Sequence, residues 1–263
     1  MKESNPSPLL VFGDDGGEAS DRGWRWIASH RWPGWTIDVM TADADPAHIR
    51  WGQPVRHDPW TPSWDRDPAA IDADEVRFLT AAADPRAMLA EVSADLMVLG
   101  RKPVGYLGSV LTGSTTEWLL HHPPSPLAII RTGRPVTRVL VCADGSIHAE
   151  RAVETFASLP LARQSVVTVL SVDDGRADRG AAEKAAAALE PHVASVTELV
   201  RSGRPTDEIL TLVGEGTPDL VVLGTRGLTG WRRLRLGSTA SAVVRSAPCD
   251  ALVASVESGD EPS

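Results

Sequence analysis

The chain reads as α/β, built twice: two tandem units, each a five-stranded, mainly parallel sheet flanked by helices. Three observations predict this. Short apolar runs without clear alternation recur along the chain, as in strands buried on both faces. Helix-like stretches with one apolar face separate them, which implies parallel strands joined by right-handed crossovers. The second half then restates the first in the same order, as two copies of one domain would.

The copies align element by element. Leu10-Val11-Phe12-Gly13-Asp14 matches Leu140-Val141-Cys142-Ala143-Asp144, an apolar strand ending in aspartate. Ala94 to Gly100 parallels Pro218 to Gly224, and Gly113-Ser114-Thr115 parallels Gly237-Ser238-Thr239 at the same offset of 124. Pro124 to Ile129 parallels Pro248 to Val253, and the join falls at the polar, turn-rich Arg131-Thr132-Gly133-Arg134-Pro135. In the second copy the strands are expected at Val139 to Cys142, Val166 to Val172, Val196 to Val200, Leu220 to Leu223 and Ala251 to Val256. Helices are expected at the alanine-rich 181–189 and at 206–213, where Ile209, Leu210 and Val213 share a face. Ligands of such sheets bind outside the carboxyl ends of the strands. Asp144 and Gly224 end the first and fourth strands and belong to that rim.

The most informative segment follows the fourth strand. Gly224-Thr225-Arg226-Gly227 is followed nine residues later by Gly237-Ser238-Thr239, which opens a helix. Glycine lets backbone N–H groups approach an anion, and a helix start adds unpaired N–H groups and partial positive charge, so the loop suits a phosphate. Each residue alone also fits a turn glycine or, for Ser238, a helix cap. The spacing of all four favours the phosphate reading.

These residues resemble the universal stress protein family, whose nucleotide-binding members carry a glycine, two residues, a glycine, nine residues, then glycine and serine or threonine. Gly224, Gly227, Gly237 and Ser238 fit it completely, Val141 to Ser146 looks like the family's first strand and aspartate, and Ala247 to Val253 looks like its last strand. The resemblance makes the chain a tandem member with Rossmann-like domains at 7–131 and 136–257. It implies an adenine nucleotide, ATP with or without magnesium, bound by the second domain. The loop from Gly224 through Thr225, Arg226, Gly227, Gly237 and Ser238, with Thr239, would hold the triphosphate. Asp144 would face ribose or adenine, and the backbone of Val172 would meet the adenine. An aspartate accepts from ribose hydroxyls but repels phosphate, which places it at the opposite end of the ligand; a turn or cap role for Asp144 stays open. Arg226, Arg232, Arg233 and Arg235 could supplement the backbone donors or form a solvated basic face. No carboxylate cluster marks a dedicated metal site.

The first copy keeps Asp14, Gly100, Gly113 and Ser114 but has Pro103 where the second has Gly227. Proline lacks the N–H and stiffens the loop, so this copy is read as degenerate. Its connection from Thr41 to Asp74 carries Trp51, Trp60 and Trp64 among five prolines, which disfavours a helix and predicts a long, ordered or partly ordered loop. Eight of the nine tryptophans lie in this copy, and core packing is the default role for Trp24, Trp26, Trp32, Trp35 and Trp118, against a partner surface.

Composition narrows the function classes. With 263 residues, 42% hydrophobic and a net charge of -9, the chain is globular and has no general basic surface for nucleic acid. The polar start, two isolated cysteines and lack of an apolar run of about 20 residues lead us to expect a cytoplasmic protein without a membrane segment. His121 and His122 sit at a helix end and no hydrolase or metalloprotease spacing occurs, so a dedicated enzyme is not expected beyond slow, incidental ATP hydrolysis. The leading expectation is a nucleotide-binding regulatory protein of the stress response with an unknown protein partner. Two rivals stay open: a nucleotide-independent scaffold acting through the tryptophan-rich domain, and an ATP-using hydrolase or transferase. The family's habit of pairing last strands implies an intrachain pseudo-dimer through Leu127 to Ile130 and Ala251 to Val256, with homodimerisation also open.

Overall fold

A computed structural model describes residues 7–43, 58–59, 65–101, 114–175, 180–216, 218–225 and 236–254. Among them the first half contributes β1 (Leu9–Gly13), α1 (Glu18–Ala28), β2 (Arg31–Ala42), β3 (Asp58–Pro59), β4 (Asp72–Ala81), α2 (Pro85–Ala90), β5 (Leu96–Gly100), α3 (Ser114–His121) and β6 (Leu127–Ile130). The second half contributes β7 (Arg138–Cys142), α4 (Ile147–Ser158), β8 (Val166–Asp173), α5 (Ala181–Leu189), β9 (Ser195–Ser202), α6 (Pro205–Gly216), β10 (Leu220–Gly224), α7 (Ser238–Ser246) and β11 (Asp250–Ala254). All described strands join one sheet in the order β3-β4-β2-β1-β5-β6-β11-β10-β7-β8-β9.

Pairing is parallel within each half, apart from the two-residue β3, which runs antiparallel to β4. The halves meet where β6 and β11 pair antiparallel, Ala251 opposite Ile129 and Val253 opposite Leu127. Central strands β1, β5, β6, β7, β10 and β11 are apolar runs because helices cover both of their faces. One apolar layer packs α1, α4 and α5 on the sheet, and the other packs α2, α3, α6 and α7. This split follows from the strand order: the chain winds outward from β7 to β9 with helices on one face, then returns to β10 and β11 with helices on the other. The strand order reverses between β7 and β10, and in such sheets ligands bind at the carboxyl ends beside that reversal.

One sequence expectation requires correction and another a change of bounds. β9 is an edge strand with Val200 59% exposed, not a strand buried on both faces. An edge strand has a single hydrogen-bonded neighbour, and helical cover thins there. The connection from Thr41 to Asp74 also contains structure: β2 runs to Ala42, β3 lies inside it, and β4 already begins at Asp72. Of the tryptophans, Trp24, Trp26, Trp32 and Trp35 are buried in the core, as their size favours. Trp118 is half-buried and stacks on His122, whose Nδ1 lies 3.1 Å from the Trp118 carbonyl at the end of α3. Trp51, Trp60, Trp64 and Trp231 lie outside the described residues.

Candidate functional site

At the carboxyl edge between β7 and β10, the chain brings together most of the residues singled out by spacing. Asp144 follows β7 and turns the chain by accepting the Ser146 N–H at 3.0 Å, with Gly145 at a φ of 80°. Ser146 then caps α4, its Oγ accepting the Ala149 N–H at 3.2 Å. Aspartate and serine are thus spent first on turn and cap geometry, which fixes where Asp144 stands on the rim. Val172 is buried near the carboxyl end of β8, two residues beyond Leu170, whose carbonyl accepts from Ala143 N–H at 2.9 Å.

Gly224 ends β10 directly beneath the first turn of α4. A Cβ there would stand 2.7 Å from Ala149 N and from the His148 carbonyl carbon, so only glycine lets the helix start approach the strand end. Thr225 is buried; its N–H donates to the Ala254 carbonyl at 2.8 Å and its Oγ1 lies 3.4 Å from His148 Nδ1. The Gly237 N–H donates to the Thr225 carbonyl at 2.6 Å, bringing the two ends of the glycine loop together. Gly237 is the extended N-cap of α7 with no side-chain cap bond, and the first turn of α7 carries no acidic residue. Ser238 is exposed and Thr239 half-buried in that turn. Arg226, Gly227, Trp231, Arg232, Arg233 and Arg235 lie outside the described residues.

The starts of α4 and α7 therefore reach the same rim from opposite faces of the sheet. Helix starts present unpaired N–H groups and partial positive charge, and an uncapped, non-acidic start presents them to whatever binds. A cavity of about 240 Å³ opens between α4 and α5 beside Ala143 and Gly145, floored by Ala149, Val153, Ala181 and Ala185. Nucleophilic chemistry has no support from the thiols: burial pushes Cys142 up and raises Cys249 to about 11. Among the described residues no three histidine, cysteine, aspartate or glutamate side chains group to hold a metal. No described helix is long and apolar enough to cross a membrane.

The other end of α7 is held by the first half. Arg101 Nη1 and Arg131 Nη2 both donate to the Val244 carbonyl in its last turn, where cations complement the helix dipole. Spacing did not point to His148, Arg101 or Arg131. His148 is one buried residue in an ordinary helix, and the two arginines act on a segment more than a hundred positions away.

Two of these features recur in the first half, although its helix α1 starts at Gly17 without a side-chain cap. Asp14 follows β1 and accepts the Gly16 N–H at 3.0 Å, as Asp144 does from Ser146. Gly100 ends β5 so close to α1 that a Cβ would fall on the Ala19 carbonyl, as at Gly224. Here, however, Asp14 is buried against Arg66. Pro103, Gly105, Gly108 and Gly113 lie outside the described residues.

Comparison with known proteins agrees with this architecture. Residues 176–255 match the model of the universal stress protein family. A universal stress protein from Thermus aquaticus is 30% identical over 131 residues, covering 44% of this chain and 96% of that protein. One from Methanocaldococcus jannaschii is 42% identical over 57 residues, 22% of this chain and only 33% of that protein. Among solved structures, a universal stress protein from Archaeoglobus fulgidus aligns over 97% of this chain and 98% of its own, with a TM-score of 0.65 at 18% identity, a likeness of fold. With its sheet order, its helix-capped strand ends and a relative matched over nearly its whole length, the chain belongs to the universal stress protein family.

Proposed function

We propose that this chain is a nucleotide-binding regulatory protein of the stress response that holds one adenine nucleotide, ATP with or without magnesium, in its second half. The observation that carries this reading is the closed loop end: Gly237 donates to the Thr225 carbonyl, which brings the uncapped start of α7 to the residue after β10, while Gly224 admits the first turn of α4 beside it. A triphosphate suits that place, where backbone donors and dipole charge converge. Thr225, Arg226, Gly227, Gly237, Ser238 and Thr239 would take the phosphates, while Asp144 and the Val172 backbone would take the ribose and adenine end. The two domains are read as 7–131 and 136–257, the second binding and the first supporting it by clamping α7 at Val244.

Equilibrium binding of labelled ATP to the wild type and to Gly227→Pro, which copies the first half's Pro103, tests the assignment. We expect affinity to fall at least tenfold, about 1.4 kcal/mol. Equal affinity would remove the loop from the site. Denaturing the freshly purified protein and assaying for released adenine nucleotide separates this reading from a nucleotide-free scaffold. Multiple turnovers of ATP would instead favour an enzyme.

A further inference from the structure

In the first half the counterpart of Asp144 already has an occupant, contributed by the chain itself. Arg66 lays its guanidinium on Asp14 fork to fork, Nε to Oδ2 at 2.8 Å and Nη2 to Oδ1 at 3.1 Å. Its Nη2 also stands 2.9 Å from Asp21 Oδ1, and its Nη1 donates to the Asp65 carbonyl at 2.9 Å. The guanidinium carbon lies 5.6 Å from the centre of the Trp24 ring. Every guanidinium nitrogen is engaged, and the side chains of Arg66 and Asp14 are only 5% and 0% exposed.

A bidentate carboxylate, a second carboxylate and an aromatic face are the features that select a planar cation over a point charge. Two carboxylates lining one site also disfavour an anion there. We infer that Asp14, Asp21 and Trp24 form a guanidinium pocket, filled in cis by Arg66, at the position where the second half is read as taking its nucleotide. The inference rests on that reading only for the contrast between the halves. Its consequence is a chain with two homologous rims of opposite taste, one for phosphate and one for guanidinium, and a nucleotide stoichiometry of one.

Chemical rescue of the full-length chain tests the pocket. Arg66→Ala is expected to melt below wild type, and methylguanidinium at low millimolar concentration, with ionic strength held by sodium chloride, to restore part of the loss saturably. Methylammonium should restore less, and Arg66→Ala combined with Asp14→Asn should not respond. No response in Arg66→Ala, or a melting temperature equal to wild type, overturns the pocket. If Arg66→Ala does not fold, Arg66→Lys gives the measurement, because lysine keeps the charge and loses the fork; melting equal to wild type then overturns the proposal. Equilibrium dialysis with ATP is expected to give one nucleotide per chain for both wild type and Arg66→Ala. A second nucleotide in Arg66→Ala overturns the guanidinium selectivity. No nucleotide in either protein overturns the second-half reading, while methylguanidinium rescue still decides the pocket.

Discussion

At Gly224 a strand ends directly beneath the first turn of α4, and the missing Cβ is what allows them to touch. The glycine was legible in the sequence from its spacing, but its contact with Ala149 and His148 was not, because that contact comes from a helix packing across the strand end. His30 shows a similar dependence on neighbours. Its Nδ1 lies 2.7 Å from the Trp26 carbonyl and its Nε2 accepts the Val136 N–H at 3.0 Å, so the neutral ring with hydrogen on Nδ1 links the end of α1 to the start of the second half. Burial lowers its pKa below the ordinary 6.5, against the opposing pull of the Trp26 carbonyl. Above 6.5 both folded and unfolded chains hold it neutral and its contribution is complete. As pH falls below 6.5 the unfolded state takes the proton first, so stability is lost with acid. Urea unfolding at a series of pH values, with His30→Asn as reference, should show this extra loss below pH 6.5 in the wild type; parallel curves would contradict it.

Among elements, the seam between β6 and β11 carries the join. Asp250, fully buried at the start of β11, accepts the N–H groups of Arg131 and Thr132 at 2.8 and 2.9 Å on one oxygen and the Thr132 hydroxyl at 3.0 Å on the other. One side chain of the second half thus satisfies the linker that leaves the first. Asp250→Ala orphans three donors and is expected to cost about 3 kcal/mol, with Asn costing less because one oxygen still accepts. Chemical denaturation checks the order, and equal losses would count against it. Next to it, burial and then the charge of Arg101 pull the Arg131 guanidinium down to about 10. Both arginines nevertheless reach Val244, which ties α7, the helix whose start meets the proposed phosphate position, to the first half.

For the whole molecule, one continuous sheet means the halves share strand pairing as well as contact. Tryptophan fluorescence reports mainly on the first half, which holds eight of nine tryptophans, while far-ultraviolet circular dichroism reports on both. The two signals should give coincident unfolding midpoints, as a single cooperative transition requires. Separate midpoints would show halves that unfold independently. The strand runs, helices and paired order of the halves were readable in advance because buried parallel strands leave unbroken apolar runs. β9 was misread because an isolated apolar run does not reveal whether its strand lies at the centre or the edge of a sheet.

From the sequence alone came the α/β class, the internal repeat, the family resemblance and the glycine spacing, because backbone conformation and periodic burial act over short stretches of chain. Only the tertiary structure decided that the strand-end Asp14 meets Arg66. Asp14 and Arg66 are 52 residues apart, separated by a proline-rich connection, and no local pattern encodes that a guanidinium will return to that rim. Long-range electrostatic pairing depends on where the packed sheet delivers its loops. That delivery is why a strand-end aspartate legible in the sequence meets a partner that the sequence does not announce.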